Sequence, residues 1–171
     1  MAAHIDENAL SRQKLLSEDT LAQIDQFLAK YPEDRRQSAV MPSLRVAQEA
    51  NGGWLTVPIM DEIAAYLKIP PIAVYEVASF YSMYEHKPVG RHKICVCTNI
   101  SCLLCGSEEI VAHLEKKLGI KMGDTTDDGR ITLKEVECLG ACVGAPMFQI
   151  GTDYYEHLTP EKIDSILDQL D

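Results

Sequence analysis

Five of the six cysteines in this chain fall in two short runs. "CTNISCLLC" carries Cys97, Cys102 and Cys105, and "ECLGACVGAP" carries Cys138 and Cys142. A thiol is a nucleophile, a redox group or a soft metal ligand, according to what surrounds it. Both runs follow segments that read as strands, which places the two loops at one end of a sheet. Four thiolates converging from two loops are what a zinc or iron–sulfur site requires.

Several chemistries fit the spacing. Cys102-Leu-Leu-Cys105 is a C-x-x-C between a strand and a helix, as in a thiol–disulfide oxidoreductase, and Pro146 would face that pair. Zinc takes tetrahedral sulfur ligands in pairs spaced by two to four residues, and both runs supply such pairs. A 2Fe-2S cluster has two candidate ligand sets. Cys97-x4-Cys102-x2-Cys105 with the distant Cys138 follows plant-type ferredoxin spacing, and the alternative gives Cys97 and Cys102 to one iron and Cys138 and Cys142 to the other. His4, His86, His92, His113 and His157 all lie outside the cysteine loops, so two-histidine Rieske ligation has no residues to use.

The elements that must hold these loops can be read from periodicity and punctuation. Ser17 caps a helix with Leu21, Ile24 and Leu28 inward, ended by Pro32. A second helix is expected from about Arg35 to Ala50 with Val40, Leu44 and Ala47 inward; Pro42 implies a kink or a later start, and Gly52-Gly53 a stop. Thr56 and Pro58 open a third helix carrying Ile59, Ile63, Tyr66 and Leu67 to Lys68. Pro70-Pro71 opens a fourth, with Val74, Val77, Ala78 and Tyr81 as its apolar stripe. These stripes are core faces.

After Lys87-Pro88-Val89-Gly90 the texture changes. His92 to Cys97 alternates as a strand, with Ile94 and Val96 on one face and Cys95 and Cys97 on the other. A helix capped near Ser107 follows, with Ile110, Val111, Leu114 and Leu118 inward and Gly119 near its end. Asp128-Gly129 turns into a strand at Ile131-Thr132-Leu133 whose alternation loses phase near Val136. Met147–Ile150 and Tyr154–Tyr155 form a hairpin, and Thr159-Pro160 opens a last helix with Ile163, Ile166, Leu167 and Leu170. The fold class expected is α/β: an N-terminal four-helix bundle over 17–87, preceded by a flexible segment over 1–16, then a thioredoxin-like α/β domain over 88–171.

The bulk numbers narrow the function. In 171 residues, 26 acidic side chains against 16 basic ones give a net charge of -10, which argues against non-specific binding to nucleic acid. A hydrophobic content of 46 % supports a packed core. No run approaches the roughly 18 apolar residues of a membrane span, and the start has neither a signal peptide's apolar core nor a transit peptide's basic character. An intracellular chain is expected, in which cysteines are reduced thiols or metal ligands. No dinucleotide or P-loop glycine motif is present, so a nucleotide site is not supported.

The runs "YPEDRRQSAVMPSLRVAQEANGGWLT", "VASFYSMYEHKPVGRHKICVCTNISC", "LGIKMGDTTDDGRITLKEVECLGACVGAPM" and "YYEHLTPEKI" resemble the 24 kDa, or E, subunits of respiratory complex I, a family of thioredoxin-like 2Fe-2S ferredoxins. The resemblance covers nearly the whole chain from about Ser17. It implies one 2Fe-2S cluster on Cys97, Cys102, Cys138 and Cys142, with Cys105 outside the ligand set; Cys95, one pleat before Cys97 on the same strand face, reads as a small buried hydrophobe. It further implies an electron-transfer subunit of a proton-translocating NADH:quinone oxidoreductase, itself without catalytic residues. FMN and NADH would sit on a partner subunit among the other peripheral-arm subunits, because NADH gives a two-electron hydride and the cluster takes one electron. The expected location is the cytoplasmic side of the plasma membrane without insertion into it, or alternatively the mitochondrial matrix. A diaphorase subunit of an NAD-linked hydrogenase or formate dehydrogenase is the nearest alternative. Four thiolates in an acidic protein predict a low potential, of the order of -400 mV. Backbone N–H groups near Gly140, Ala141 and Gly144 are expected to donate to the sulfurs, and Phe80, Tyr81 and Tyr84 to anchor the partner, with core packing the expected role of at least one of the three.

Overall fold

A computed structural model describes residues 15–170, and residues 1–14 and 171, with most of the expected flexible segment, lie outside the described residues. The chain divides into two compact units at Pro88 and Val89.

The first unit contains four helices, α1 (Glu18–Leu28), α2 (Val40–Ala50), α3 (Val57–Leu67) and α4 (Pro71–Phe80). Ser17 Oγ accepts the Thr20 N–H at 3.1 Å and Thr56 Oγ1 accepts the Ile59 N–H at 3.3 Å, so α1 and α3 start at the expected caps. The stretch expected to begin the second helix is instead a 3-10 segment, Glu33–Ala39, and α2 starts later. Pro42 falls in its first turn, where an N–H has no intrahelical acceptor and the ring costs nothing. Arg36 crosses to the end of α3, its guanidinium donating to Leu67 O at 2.9 Å and Tyr66 O at 3.1 Å, which satisfies carbonyls that the helix leaves open. Ile24, Leu44, Ala47, Leu55, Ile63, Leu67 and Val74 share one core.

Two expectations change here. Leu16, assigned to the N-terminal segment, is buried in this core, and Glu62 accepts the N–H groups of Leu15 and Leu16 at 2.8 and 3.3 Å. Tyr84, expected at an interface, is only 4 % exposed and donates its hydroxyl to Met41 O at 2.8 Å. It is a core residue with a satisfied polar tip.

The second unit is built on a four-stranded sheet in the order β2-β1-β3-β4, with β1 (His92–Cys97), β2 (Ile131–Val136), β3 (Phe148–Ile150) and β4 (Asp153–Tyr155). β1 and β2 are parallel, joined through α5 (Ile100–Leu104) and α6 (Ser107–Leu118); β3 runs antiparallel to β1, and β4 to β3. α7 (Pro160–Leu167) closes the chain, capped by Thr159 Oγ1. Ile110 and Leu114 of α6 and Ile163 and Leu167 of α7 pack with Ile94, Val96, Ile131, Leu133 and Phe148, so both helices cover one face of the sheet. This is the thioredoxin-like arrangement, and it brings the C-terminal end of β1 beside that of β2, with Cys97 opposite Val136 in register. Strand β2 holds its pairing to Val136 despite the loss of alternation in sequence. Cys95 is half-buried, not buried as expected.

Candidate metal centre

Both cysteine loops leave the same end of the β1–β2 pair. The first continues β1: the Thr98 N–H donates to Val136 O at 3.2 Å, and Asn99 caps the one-turn helix α5. That short helix turns Cys102 back towards Cys97, and both are buried, at 2 and 3 % exposure. Cys97 and Cys102 are hydrogen-bonded to each other. The main chain of Met147 joins them from the other loop: its carbonyl accepts the Cys97 N–H at 3.2 Å, and its N–H favours the ionised form of Cys102. Met147, Leu139, Ala141 and Ala145 pack around this pair.

The second loop carries Cys138 and Cys142, both exposed, with Sγ atoms 3.6 Å apart. Two thiolates on one tetrahedral metal with bonds of ~2.3 Å stand about 3.8 Å apart, so this pair has the separation of two ligands on one ion. Gly140, at φ +84°, makes the reversal between them in a region closed to most side chains, and its N–H donates to Cys138 Sγ at 3.4 Å. The Gly144 N–H, expected on a sulfur, donates instead to Ala141 O at 3.0 Å, tightening the 3-10 turn Cys142–Gly144. Tyr154 Oη donates to Leu139 O at 2.7 Å and ties the loop to β4.

The charge of Cys142, on the second loop, is felt at Cys102 on the first. Burial pushes the Cys102 thiol up to about 11; its hydrogen bond with Cys97 and the negative charges of Cys97 and Cys142 act in the same direction, and the Met147 N–H opposes them. Such a group ionises at neutral pH only when a cation takes its proton's place, and a bound metal does that. Among the described residues no three His, Cys, Asp or Glu side chains are grouped to hold a single metal ion. A two-iron cluster asks for a different pattern, two pairs of thiolates, which Cys97/Cys102 and Cys138/Cys142 would supply. Cys105 is exposed at the C-terminal end of α5 and makes none of these contacts. The Gly140 amide stands on a cysteine sulfur as the sequence led one to expect, whereas Met147 was missed, because its role is main-chain and leaves no mark in residue type.

The pattern of the Thioredoxin-like [2Fe-2S] ferredoxin family matches residues 24–171. The chain belongs to that family. Its cofactor is accordingly the 2Fe-2S cluster. Among relatives of this thioredoxin-like ferredoxin, the E subunit of the NADH-quinone oxidoreductase of Rickettsia felis is 50 % identical over 145 residues, 85 % of this chain and 87 % of that protein. The mitochondrial NADH dehydrogenase [ubiquinone] flavoprotein 2 of Dictyostelium discoideum is 46 % identical over 154 residues, 90 % of this chain and 62 % of that longer protein. Among solved structures, an NAD+-reducing [NiFe]-hydrogenase in the air-oxidized state shares the fold over 82 % of this chain and 24 % of its own, with a TM-score of 0.68 and 21 % identity.

Proposed function

We propose that this ferredoxin is the electron-transfer subunit of an NADH–quinone oxidoreductase, holding its cluster on Cys97, Cys102, Cys138 and Cys142 and exchanging single electrons with the FMN of a partner, NADH-binding subunit. The observation that carries the reading is the near-complete overlap with the Rickettsia oxidoreductase relative at about half identity, supported by the Cys138 and Cys142 sulfurs standing 3.6 Å apart. The cluster supplies one-electron exchange. This chain's residues bury one ligand pair behind Met147, leave the other at the surface where a partner's redox group can approach, and hold both loops by main-chain hydrogen bonds so that the ligands need not move. The first loop exposes Leu104 at 82 % and the second Val143 at 98 %, apolar rims suited to a covering partner. The helical unit, read as a four-helix docking bundle over 17–87 joined to a cluster domain over 88–171, is the second contact. Among the described residues no helix is long and apolar enough to cross a membrane, which accords with a peripheral position on the cytoplasmic or matrix side.

The dithiol reading of Cys102 and Cys105 fares poorly, because a buried Cys102 pushed up to about 11 is the opposite of the low-pKa thiol such chemistry needs. Electron paramagnetic resonance of the anaerobic, dithionite-reduced full chain tests the ligand set. The expected result is a 2Fe-2S signal that survives Cys105→Ser and is lost or changed in type by Cys142→Ser. The reverse pattern would install plant-type ligation, and a colourless protein with stoichiometric zinc would remove the electron-carrier reading.

A further inference from the structure

The Cys142 loop closes against a carboxylate that lies outside the ligand set. Gly144, two residues beyond Cys142, is buried, and a Cβ built on it would lie 2.5 Å from the carboxyl carbon of Glu156, 2.6 Å from its Cβ and 2.7 Å from its Cγ. The Glu156 side chain therefore runs along the bare face of Gly144 for its whole length. Main-chain bonds hold it there: the His157 N–H donates to Gly144 O at 2.6 Å, and Lys162 Nζ donates to Glu156 O at 2.6 Å. Lys162 thus engages the carbonyl of Glu156, and among the described residues no cation is paired with its carboxylate. Glu135 and Glu137 also stand near the cysteine loops, but they accept hydrogen bonds from Thr98 and Asn99, which spread their charge. Glu156 is half-buried, where solvent screens a charge less than at the open surface.

We propose that the Glu156 carboxylate, held against Gly144, keeps the reduction potential of the centre at Cys97, Cys102, Cys138 and Cys142 low. The inference rests on the ligand reading given above. Reduction adds one electron to a centre already bearing four thiolates, with no bond made or broken at Glu156, and a fixed negative charge beside the Cys142 loop opposes each added electron. Glu156 touches no ligand, so it acts on the centre through its field and is a tuning residue.

The test is a potentiometric titration, followed by electron paramagnetic resonance, of the cluster-loaded full chain as wild type, Glu156→Gln, Glu156→Ala and Glu156→Asp. Glutamine keeps the stem on Gly144 and removes the charge. At the wild-type midpoint, the ratio of reduced to oxidised centre is expected to rise about tenfold in Glu156→Gln, equivalent to about 59 mV for a one-electron couple. Glu156→Ala moves the same way, Glu156→Asp stays near wild type, and the oxidised absorption spectra coincide. A Glu156→Gln midpoint at or below wild type overturns the inference, as does a shift confined to Glu156→Ala, which would mark a packing role for the stem. Should Glu156→Gln fail to load, the isosteric pair Glu156→Asp and Glu156→Asn decides the matter: a raised midpoint in Glu156→Asn relative to Glu156→Asp supports the inference and equal midpoints overturn it. A wild-type chain without any reducible centre would overturn the cofactor reading itself, and is told apart from an unshifted midpoint in a loaded chain.

Discussion

Gly144 and Met147 show how much of the centre depends on atoms other than sulfur. At Gly144 the side chain must be absent: a methyl group there would meet Glu156 Cβ, Cγ and Cδ, and Glu156 cannot swing away as a whole because its own Cβ is among the atoms struck. Gly144→Ala is expected to push the Cys142 loop off β4 and cost about 1–3 kcal/mol, the usual range for overpacking a filled site. The check is urea unfolding of the loaded chain together with the temperature at which cluster absorbance is lost; an unchanged value of both would mean that the loop gives freely. The residue types that carry this chemistry differ in how visible they are in sequence. Cysteines at C-x4-C and C-x3-C spacing leave a metal and a dithiol open until the family resemblance decides, and Gly140 between the second pair suggests a sharp reversal. The Met147 amide, the Gly144–Glu156 contact and the Tyr154 hydroxyl on Leu139 O cannot be read that way, since each depends on where β3 and β4 fall relative to a loop distant in sequence. Tyr84 illustrates the converse: an aromatic in a polar run looks like an anchor, yet the same ring fills the core and finds Met41 O.

Helices and strands were legible wherever a cap and a period coincided. Ser17, Thr56 and Thr159 each start a helix where their side chains accept an N–H three residues on, and Gly119, at φ +69°, ends α6. The failures are short or irregular pieces. α5 has five residues, too few to show a period, and the 3-10 stretch Glu33–Ala39 carries a polar sequence without an apolar stripe. The pairing of α6 with α7 adds an electrostatic element that sequence spacing conceals. Asp164 of α7 accepts from His113 Nε2 at 2.8 Å and lies 3.4 Å from Lys117 Nζ, both on α6. The His113 hydrogen bond, aided by Lys117, holds its carboxyl below the ordinary value of 3.8. A carboxyl with a depressed native value stabilises the fold while it is ionised: the contribution is complete above 3.8 and is lost as pH falls through the native value. Asp164→Asn should therefore lower the thermal midpoint at pH 7, and the gap from wild type should close as pH drops below 3.8. Circular dichroism melts from pH 7 to pH 3 would show this, and a gap constant across that range would sink the assignment.

The surface of the helical unit decides how the chain would be held in an assembly. The chain's net charge of -10 keeps it soluble in isolation and gives no reason for tight association. Apolar side chains left in water give one. Phe80 ends α4 at 79 % exposure, with Tyr81 against it edge-on at a ring-centroid distance of 5.1 Å, and Ile72 and Met83 are also exposed in that unit. An exposed phenylalanine braced by a second ring is pre-organised for a pocket on a partner and loses little side-chain freedom on binding. Of the three aromatics singled out in sequence, two rings, Phe80 and Tyr81, are thus exposed and the third, Tyr84, is a core residue. Phe80→Ala is expected to weaken association with the partner subunit proposed above by about tenfold, the order of a truncated interface anchor, while the cluster's absorption and resonance signals stay as in wild type. Tyr84→Phe should do the reverse: unchanged association, but a fold weaker by about 1 kcal/mol for the lost hydrogen bond to Met41 O. Titrating each full-length variant into the partner subunit by calorimetry, beside a denaturant curve, separates the two effects. Wild-type affinity in Phe80→Ala would mean that the partner does not cover the end of α4, and would shift the docking role to the apolar rims at Leu104 and Val143 on the cysteine loops.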